Sequence, residues 1–493
     1  MENDKGAIID VGTLGAKLVA SPIGALALDL ATGMLLRGVV RTPLVRLVDR
    51  RLCAALDGSD DPMTRNSRME RERLMIARAI LHTFDRLLEK GALAPGFARV
   101  TLRLWARALT VPTASKPGAC AFKARYGCDP PWVIAVSPGH ACNLGCQGCY
   151  AGSDSGAATL NRRVLDRVIS EAKELWGVNV VVVTGGEPFM YRSEGAEILD
   201  IVEKHRDSLF LIFTNGTLID DSIARRLARL GNATVALSVE GMRETTDARR
   251  GPGVFDRVLE AASLLSAHGA AYGISATVTR ENYRELMSDN FLDFFFKELN
   301  AFYGFLFQYM PVGRDYQVEL MPTPRQRLDF WRRSWDVISN KKIFLFDFWN
   351  HGTLVHGCVA AGRERGYMHI DWDGEVTPCV FAQHSTGNLN DVFARGGNLN
   401  DIWDTPFFRA FREWQTEYGY GSEKPSSEAN WLIPCPVRDH HQIFRRLIER
   451  YDPVPEGAPA REALADKDYY RGLISYGEEL NRLSRSIWEQ EYL

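Results

Sequence analysis

The sequence predicts an α/β chain built on a curved, parallel sheet or partial barrel. Three observations predict it. Six apolar, β-branched runs alternate with amphipathic helical stretches between residues 131 and 340. The first four runs each end in thiols or short polar side chains. After residue 340 the rhythm breaks, glycine is frequent and three further cysteines appear. The chain therefore divides into a helical extension (1–130), the barrel (131–340), a small cysteine-bearing domain (341–445), and a linker with a C-terminal helix (446–493).

The extension reads as mostly helical. Its first helices mix apolar clusters with Arg37, Arg41, Arg46, Arg50 and Arg51. Helices of that kind either lie on a membrane surface or cap the main domain with their apolar side. Arg103, Trp105 and Arg107 would also suit an interface. The apolar stretch 22–40 is interrupted by Asp29 and Arg37. It falls short of the roughly 20 apolar residues a bilayer span needs. No secretory signal is recognisable at the start of the chain.

The barrel runs are 133–136, 178–183, 209–213, 233–239, 272–278 and 302–309. Between them, Ile223, Leu227 and Leu230 share one helix face, as do Phe255, Val258, Ala262 and Leu265. Continuous apolar strands separated by such helices predict a parallel sheet covered on its outer face. Loops at the carboxyl ends of the strands then build the site.

Composition narrows the function. Of 493 residues, 45% are hydrophobic and 25% charged, enough apolar surface to exclude disorder of the whole chain. The net charge of −3 gives no basic excess, so nucleic acid is not expected as a partner. Nine cysteines are too few for a disulfide scaffold in a chain this long. Thiolate ligands need a reducing compartment, so a cytoplasmic location is expected, with a peripheral place on the inner membrane face as its variant.

The strongest motif is Cys142-Asn-Leu-Gly-Cys146-Gln-Gly-Cys149-Tyr150, directly after the first run. Three thiolates on one glycine-containing loop can hold three irons of a 4Fe–4S cube and leave the fourth open. Zinc is the alternative, with His140 adjacent as a fourth ligand. The second run ends in Thr184-Gly185-Gly186-Glu187-Pro188, where glycines allow close backbone approach to a ligand. The third ends in Thr214-Asn215-Gly216-Thr217 and the fourth in Ser238-Val239-Glu240-Gly241. Turn chemistry explains any one of these ends. It does not explain why they share a rim.

Together these motifs resemble the radical S-adenosylmethionine (radical SAM) superfamily over about residues 131 to 340. The resemblance implies a partial (β/α)6 barrel. It implies that Cys142, Cys146 and Cys149 ligate a 4Fe–4S cluster whose open iron is chelated by S-adenosylmethionine. It places Gly185, Gly186 and Glu187, after Thr184, against the methionine amino group. Asn215 and Ser238 would contact ribose or methionine, and Tyr150 would sit near the adenine. The implied activity is reductive cleavage to methionine and a 5′-deoxyadenosyl radical that abstracts a substrate hydrogen. A reductant such as flavodoxin or ferredoxin is the implied partner.

The stretch from Ser238 to Phe255 is similar to the SPASM/twitch branch of that family. It departs at Glu240, where Asp is usual, and at Thr246, where His is usual. Arg250 and Gly251 are retained. Arg250 is a candidate clamp for the cofactor carboxylate, by two-point geometry; a surface arginine at a helix start is the alternative. Cys358 and Cys379 frame a hairpin signal at Asp373-Gly374, and Cys435 could join them. This resembles the start of a SPASM domain, but the later dense cysteine run is missing. A twitch-like domain with a second, single auxiliary 4Fe–4S cluster is the expectation; buried free thiols are the alternative. His351, His356, Cys120, Cys128 or the substrate could complete it. His440 and His441 either hydrogen-bond near that site or cap the following helix.

The expected protein is thus a radical SAM oxidoreductase or transferase with one auxiliary cluster. Its substrate is read as a lipid or membrane-associated molecule, from the basic, apolar N-terminus. The alternatives are a peptide maturase of the same superfamily and a non-enzymatic metal-binding module.

Overall fold

The computed structural model describes Gly33 and residues 38–57, 67–110, 116–156, 158–422 and 424–493, with backbone alone for 105–110. The expectations resting on residues 22–32 and Arg37, and on the side chains of Trp105 and Arg107, lie outside the described residues.

The main sheet has ten strands. Seven follow one another in parallel: β1 (Val133–Val136), β2 (Val180–Val183), β3 (Leu209–Thr214), β4 (Ala233–Ser238), β5 (Tyr272–Val278), β6 (Gly304–Gln308) and β7 (Leu345–Asp347). The first six correspond to the six apolar runs. Alternation along each strand separates two environments. Ile134, Val136, Val181, Val183, Phe210 and Ile212 point outward and are buried. Val133, Ala135, Val180, Val182, Leu211 and Phe213 point inward and line a cavity.

Outer helices close the first layer. Helix Arg162–Trp176 is capped by the Asn161 side chain, ends at left-handed Gly177, and buries Leu165, Val168, Ile169, Ala172 and Trp176. Each large apolar side chain so buried contributes about 1.5–3 kcal/mol. Helix Val254–His268 buries Phe255, Val258, Ala262 and Leu265, the face its periodicity predicts. Leu227 and Leu230 are buried on Asp221–Leu230, with Ile223 half-buried beside them.

The sheet does not stop at residue 340. β7 pairs with β6, and β8 (Tyr367–Ile370) pairs parallel to β1 at the opposite edge. β9 (Glu375–Thr377) and β10 (Gly387–Asn388) extend that edge antiparallel. An open edge of β1 would expose unpaired backbone groups; the cysteine-bearing segment satisfies them. The Asp373-Gly374 turn forms as expected, with Gly374 at φ 85° and His369 opposite Thr377.

The extension and the tail meet under this sheet. Glu72, on helix Arg68–Glu89, is fully buried. It accepts hydrogen bonds from Thr353 Oγ1 at 2.7 Å, Arg68 Nε at 3.0 Å and Tyr492 Oη at 2.5 Å. One carboxylate thereby joins three distant segments, and this helix is a packed cap. Helix Gly38–Asp57 instead leans on that cap through Arg78–Asp49 and Arg41–Asp85 pairs. It leaves Val40, Leu44 and Leu47 exposed. Among the described residues, no helix is long and apolar enough to cross a membrane.

Candidate functional site

The Cys142–Cys149 loop leaves the carboxyl end of β1 and is held by its neighbours' backbones. Cys142 N–H donates to Asp154 O at 2.7 Å, and Gln147 N–H to Arg249 O at 3.2 Å. Gly148 has φ 61°, and a β-carbon there would lie 2.6 Å from the Tyr309 ring. Gly186 borders the cavity and also has a packing role. A β-carbon on it would come within 2.2 Å of Ala141 O, because Glu187 N–H donates to that same carbonyl. The close approach it permits is to the cysteine loop.

The strand-end residues knit one rim. The buried Glu187 carboxylate accepts from Thr214 Oγ1 at 2.7 Å, Asn215 N–H at 2.8 Å and Phe189 N–H at 3.1 Å. It joins the second loop to the third and does not border the cavity, whereas Thr184, Gly185 and Gly186 do. Asn215 Nδ2 donates to Asn143 Oδ1 at 2.9 Å and reaches Cys142 Sγ at 3.9 Å. Tyr150 Oη pairs with Thr184 Oγ1 and accepts from Gly185 N–H at 3.2 Å. Burial pushes the Tyr150 phenol up to about 12. Ser238 Oγ lies 3.4 Å from Ser275 Oγ. Asn215, Ser238, Tyr150 and Arg250 all face the cavity.

Glu240 is the hub that motif reading missed. Its Oε1 accepts from Arg250 Nε at 2.9 Å, Arg250 Nη2 at 2.5 Å and Arg249 Nη1 at 2.5 Å. Its Oε2 accepts from Thr277 N–H at 3.1 Å. Arg249 in turn donates to Gln147 O and Gly148 O, fastening the cysteine loop. Thr246 Oγ1 bridges Gly241 O and Glu240 N–H. Glu240 and Thr246, the two departures from the family pattern, thus sit in one buried network.

The second cysteine group assembles from three segments. Cys358, Cys379 and Cys435 border the same cavity as Cys142, Cys146 and Cys149. Cys435 is placed by Asp439, whose carboxylate accepts from Cys435 N–H at 3.2 Å. Asp439 is itself clamped by Arg327 at 2.7 and 3.1 Å and by Arg438 at 2.9 Å. Arg327 and Arg438 hold the Asp439 carboxyl well below the usual range despite its burial. Gln383 links the two groups: its Nε2 donates to Tyr150 O at 2.7 Å, and its Oε1 accepts from Gly313 N–H at 3.0 Å. His440 and His441 do not contact a thiol; their rings bond the carbonyls of Ile433 and Val437.

The donor chemistry fits iron–sulfur clusters. Burial pushes the Cys142 and Cys358 thiols up to about 11 and raises Cys379 and Cys435 as well. Such thiols ionise when a bound metal supplies positive charge. Among the described residues, no three His, Cys, Asp or Glu side chains converge tightly enough for a single metal ion. Thiolates on separate corners of a cube stand further apart than ligands sharing one ion. The cavity between the groups measures about 580 Å³ and is walled largely by aromatic and aliphatic side chains.

A parallel partial barrel with two thiol triads on one cavity defines an iron–sulfur protein. Residues 136–289 match the radical SAM superfamily, and residues 358–425 match SPASM, an iron–sulfur cluster-binding domain. The mycofactocin maturase MftC of Mycobacterium tuberculosis (strain CDC 1551 / Oshkosh) is 30% identical over 311 residues, covering 60% of this chain and 76% of that protein. The AdoMet-dependent heme synthase of Methanosarcina barkeri is 26% identical over 315 residues, covering 57% and 85%. The fold is similar to that of Streptococcus suis SuiB bound to precursor peptide SuiA, with TM-score 0.50 and 17% identity over 69% of this chain and 76% of that one.

The chain belongs to the radical SAM superfamily and carries a SPASM-type domain. It is an enzyme, and its cofactors are a 4Fe–4S cluster, S-adenosylmethionine and auxiliary iron–sulfur.

Proposed function

We propose that this enzyme modifies an apolar or aromatic side chain of a peptide, held in the cavity between its two cysteine groups. The observation that carries the reading is the single cavity bordered by both triads, with Phe213, Phe305, Phe307, Phe348 and Phe381 on its walls. Apolar walls favour apolar ligands by removing their surface from water. SuiB, solved with a precursor peptide, supports the peptide assignment.

Cys142, Cys146 and Cys149 would hold the first cluster, and Cys358, Cys379 and Cys435 the auxiliary one. When bound, the first cluster with S-adenosylmethionine supplies one-electron cleavage of the sulfonium to methionine and a 5′-deoxyadenosyl radical. The protein's part is placement and exclusion of water. Thr184, Gly185, Gly186, Asn215 and Ser238 offer polar contacts on the rim beside the first triad. Tyr150 covers that rim, its ring 5.3 Å from Phe381. Arg250 faces the same space while paired to Glu240. Glu187 would act through the backbone it holds. A reductant such as flavodoxin or ferredoxin would supply the electron.

The test compares peptides from cells carrying the native gene and from cells carrying Cys146→Ala, by mass spectrometry. A peptide whose mass changes only with the native enzyme supports the reading. Unchanged peptides with altered lipids would overturn it. That second outcome corresponds to a lipid substrate, favoured by exposed Val40, Leu44 and Leu47 beside Arg46, Arg50 and Arg51 on helix Gly38–Asp57. The helix would then hold the enzyme at an anionic membrane face.

A further inference from the structure

Eight large apolar side chains stand exposed among the described residues, and four of them lie on helix Gly38–Asp57. Val39 is 89% exposed, Leu47 46%, Val40 41% and Leu44 39%. Val40, Leu44 and Leu47 recur at the spacing of one helix face. Scattered exposed apolar residues need no explanation, but half of them gathered on one helix do.

The opposite face is already occupied. Val45, Val48 and Leu52 are half-buried there. Arg41 and Asp49 fasten that side to helix Arg68–Glu89. Arg41 Nε donates to Asp85 Oδ1 at 2.7 Å, and Asp49 Oδ1 lies 2.8 Å from both Arg78 Nε and His82 Nε2. Among the described residues, Arg68–Glu89 is the one element on which this helix packs extensively. A helix that is apolar all round is normally buried on every side. This one is covered on a single side.

Shape and charge say what covers the other. From Val40 to Leu47 the apolar row runs about 10 Å along a convex ridge, at the helical rise. A ridge of that length offers far less than the roughly 800 Å² per partner of a stable protein interface. Arg46, Arg50 and Arg51 are exposed beside the row, while Asp49 is turned to the cap. Residues 38–90 carry eleven Lys and Arg against eight Asp and Glu, in a chain whose net charge is −3. A short apolar ridge flanked by arginines suits the boundary of an anionic bilayer, with the guanidinium groups among the headgroups.

We infer that helix Gly38–Asp57 docks the enzyme peripherally on an anionic membrane. Val40, Leu44 and Leu47 enter the acyl boundary, and Arg46, Arg50 and Arg51 bind headgroup phosphates. No residue of this helix borders the cavity. Docking therefore needs no lipid substrate, and the inference stands apart from the peptide reading.

The experiment sediments the full, anaerobically reconstituted chain with vesicles. One set holds three parts phosphatidylcholine to one part phosphatidylglycerol, and the other phosphatidylcholine alone. The parent is expected to bind the anionic set and to lose most of that binding in high salt. Arg46→Gln, Arg50→Gln and Arg51→Gln combined should weaken it about a hundredfold, at about fivefold per charge. Leu44→Gln with Leu47→Gln should weaken it about tenfold. Both variants alter exposed side chains and should keep the parent's circular dichroism and iron content. A parent that stays in the supernatant overturns the inference, as does equal binding to both vesicle sets or binding that both variants retain. A dimer formed without vesicles and abolished by the leucine variant also overturns it, since a second copy would then cover the ridge. Peptide modification does not enter this readout, so failure here leaves the peptide reading standing.

Discussion

The two cysteine groups border one cavity but are built in opposite ways. Cys142, Cys146 and Cys149 lie within eight residues on one loop, so closing the site costs little chain entropy. Cys358, Cys379 and Cys435 come from three segments, the last 56 residues beyond the second. Their meeting depends on a sheet edge, a hairpin and a buried salt bridge formed elsewhere. A local site carries its ligand spacing in sequence. A dispersed site carries it in the packing around it, and is the easier one to disable at a distance.

Asp439→Asn should expose that difference most strongly. It leaves Arg327 and Arg438 buried without their shared carboxylate. Breaking such a pair costs about 3–5 kcal/mol. Chemical denaturation should register that loss, and iron analysis should fall toward one cluster per chain. A full iron complement would mean that Cys435 is placed without Asp439.

Glu240→Gln probes the local site by the same logic. It weakens the anchor of two arginines, one of which fastens Gln147 and Gly148. A loss of about 2–4 kcal/mol is expected from removing the charge of a largely buried pair. The three thiols nevertheless remain on one loop, so iron at the first site should survive. Equal iron loss at both sites would erase the contrast between local and dispersed assembly.

Acid should act on the dispersed side. Burial holds His351 down at about 3, against an ordinary value near 6.5. Between those values the unfolded chain binds a proton that the folded chain refuses. Stability therefore falls as pH drops from about 6.5 toward 3, by about 1.4 kcal/mol per pH unit for this one group. Replacing His351 with Gln should flatten the melting temperature against pH in that window. An unchanged slope would show that His351 titrates normally.

Gln383→Ala is the smallest of these changes. It removes two hydrogen bonds of the auxiliary segment, one to Tyr150 O on the first loop and one from Gly313 N–H beyond β6. Their loss is worth about 1–3 kcal/mol. A double-mutant cycle with Tyr150→Phe should give non-additive effects on cofactor cleavage, since Gln383 holds the Tyr150 backbone. Strict additivity would uncouple the two regions.

These contrasts also explain what was legible in sequence. All six apolar runs became parallel strands, because each run's periodicity and flanking helices are local properties. The first triad and the Asp373-Gly374 hairpin were legible for the same reason. Gln383 and Asp439 were not, because their partners lie far along the chain. That Glu187 staples two loops and that Gly186 makes room for Ala141 O was not legible either. Motif position told where these residues sit; only the packing told what they touch. The seventh strand escaped notice because Leu345–Asp347 is three residues long and lies past the break in rhythm.

The most direct test is a paired count of iron and 5′-deoxyadenosine on the parent, Cys146→Ala and Cys379→Ala, purified and reconstituted anaerobically. The account predicts about eight irons in the parent and about four in each variant, as two 4Fe–4S clusters require. 5′-Deoxyadenosine should form in the parent and in Cys379→Ala, and vanish in Cys146→Ala. Retained cleavage in Cys146→Ala, or undiminished iron in Cys379→Ala, would contradict it.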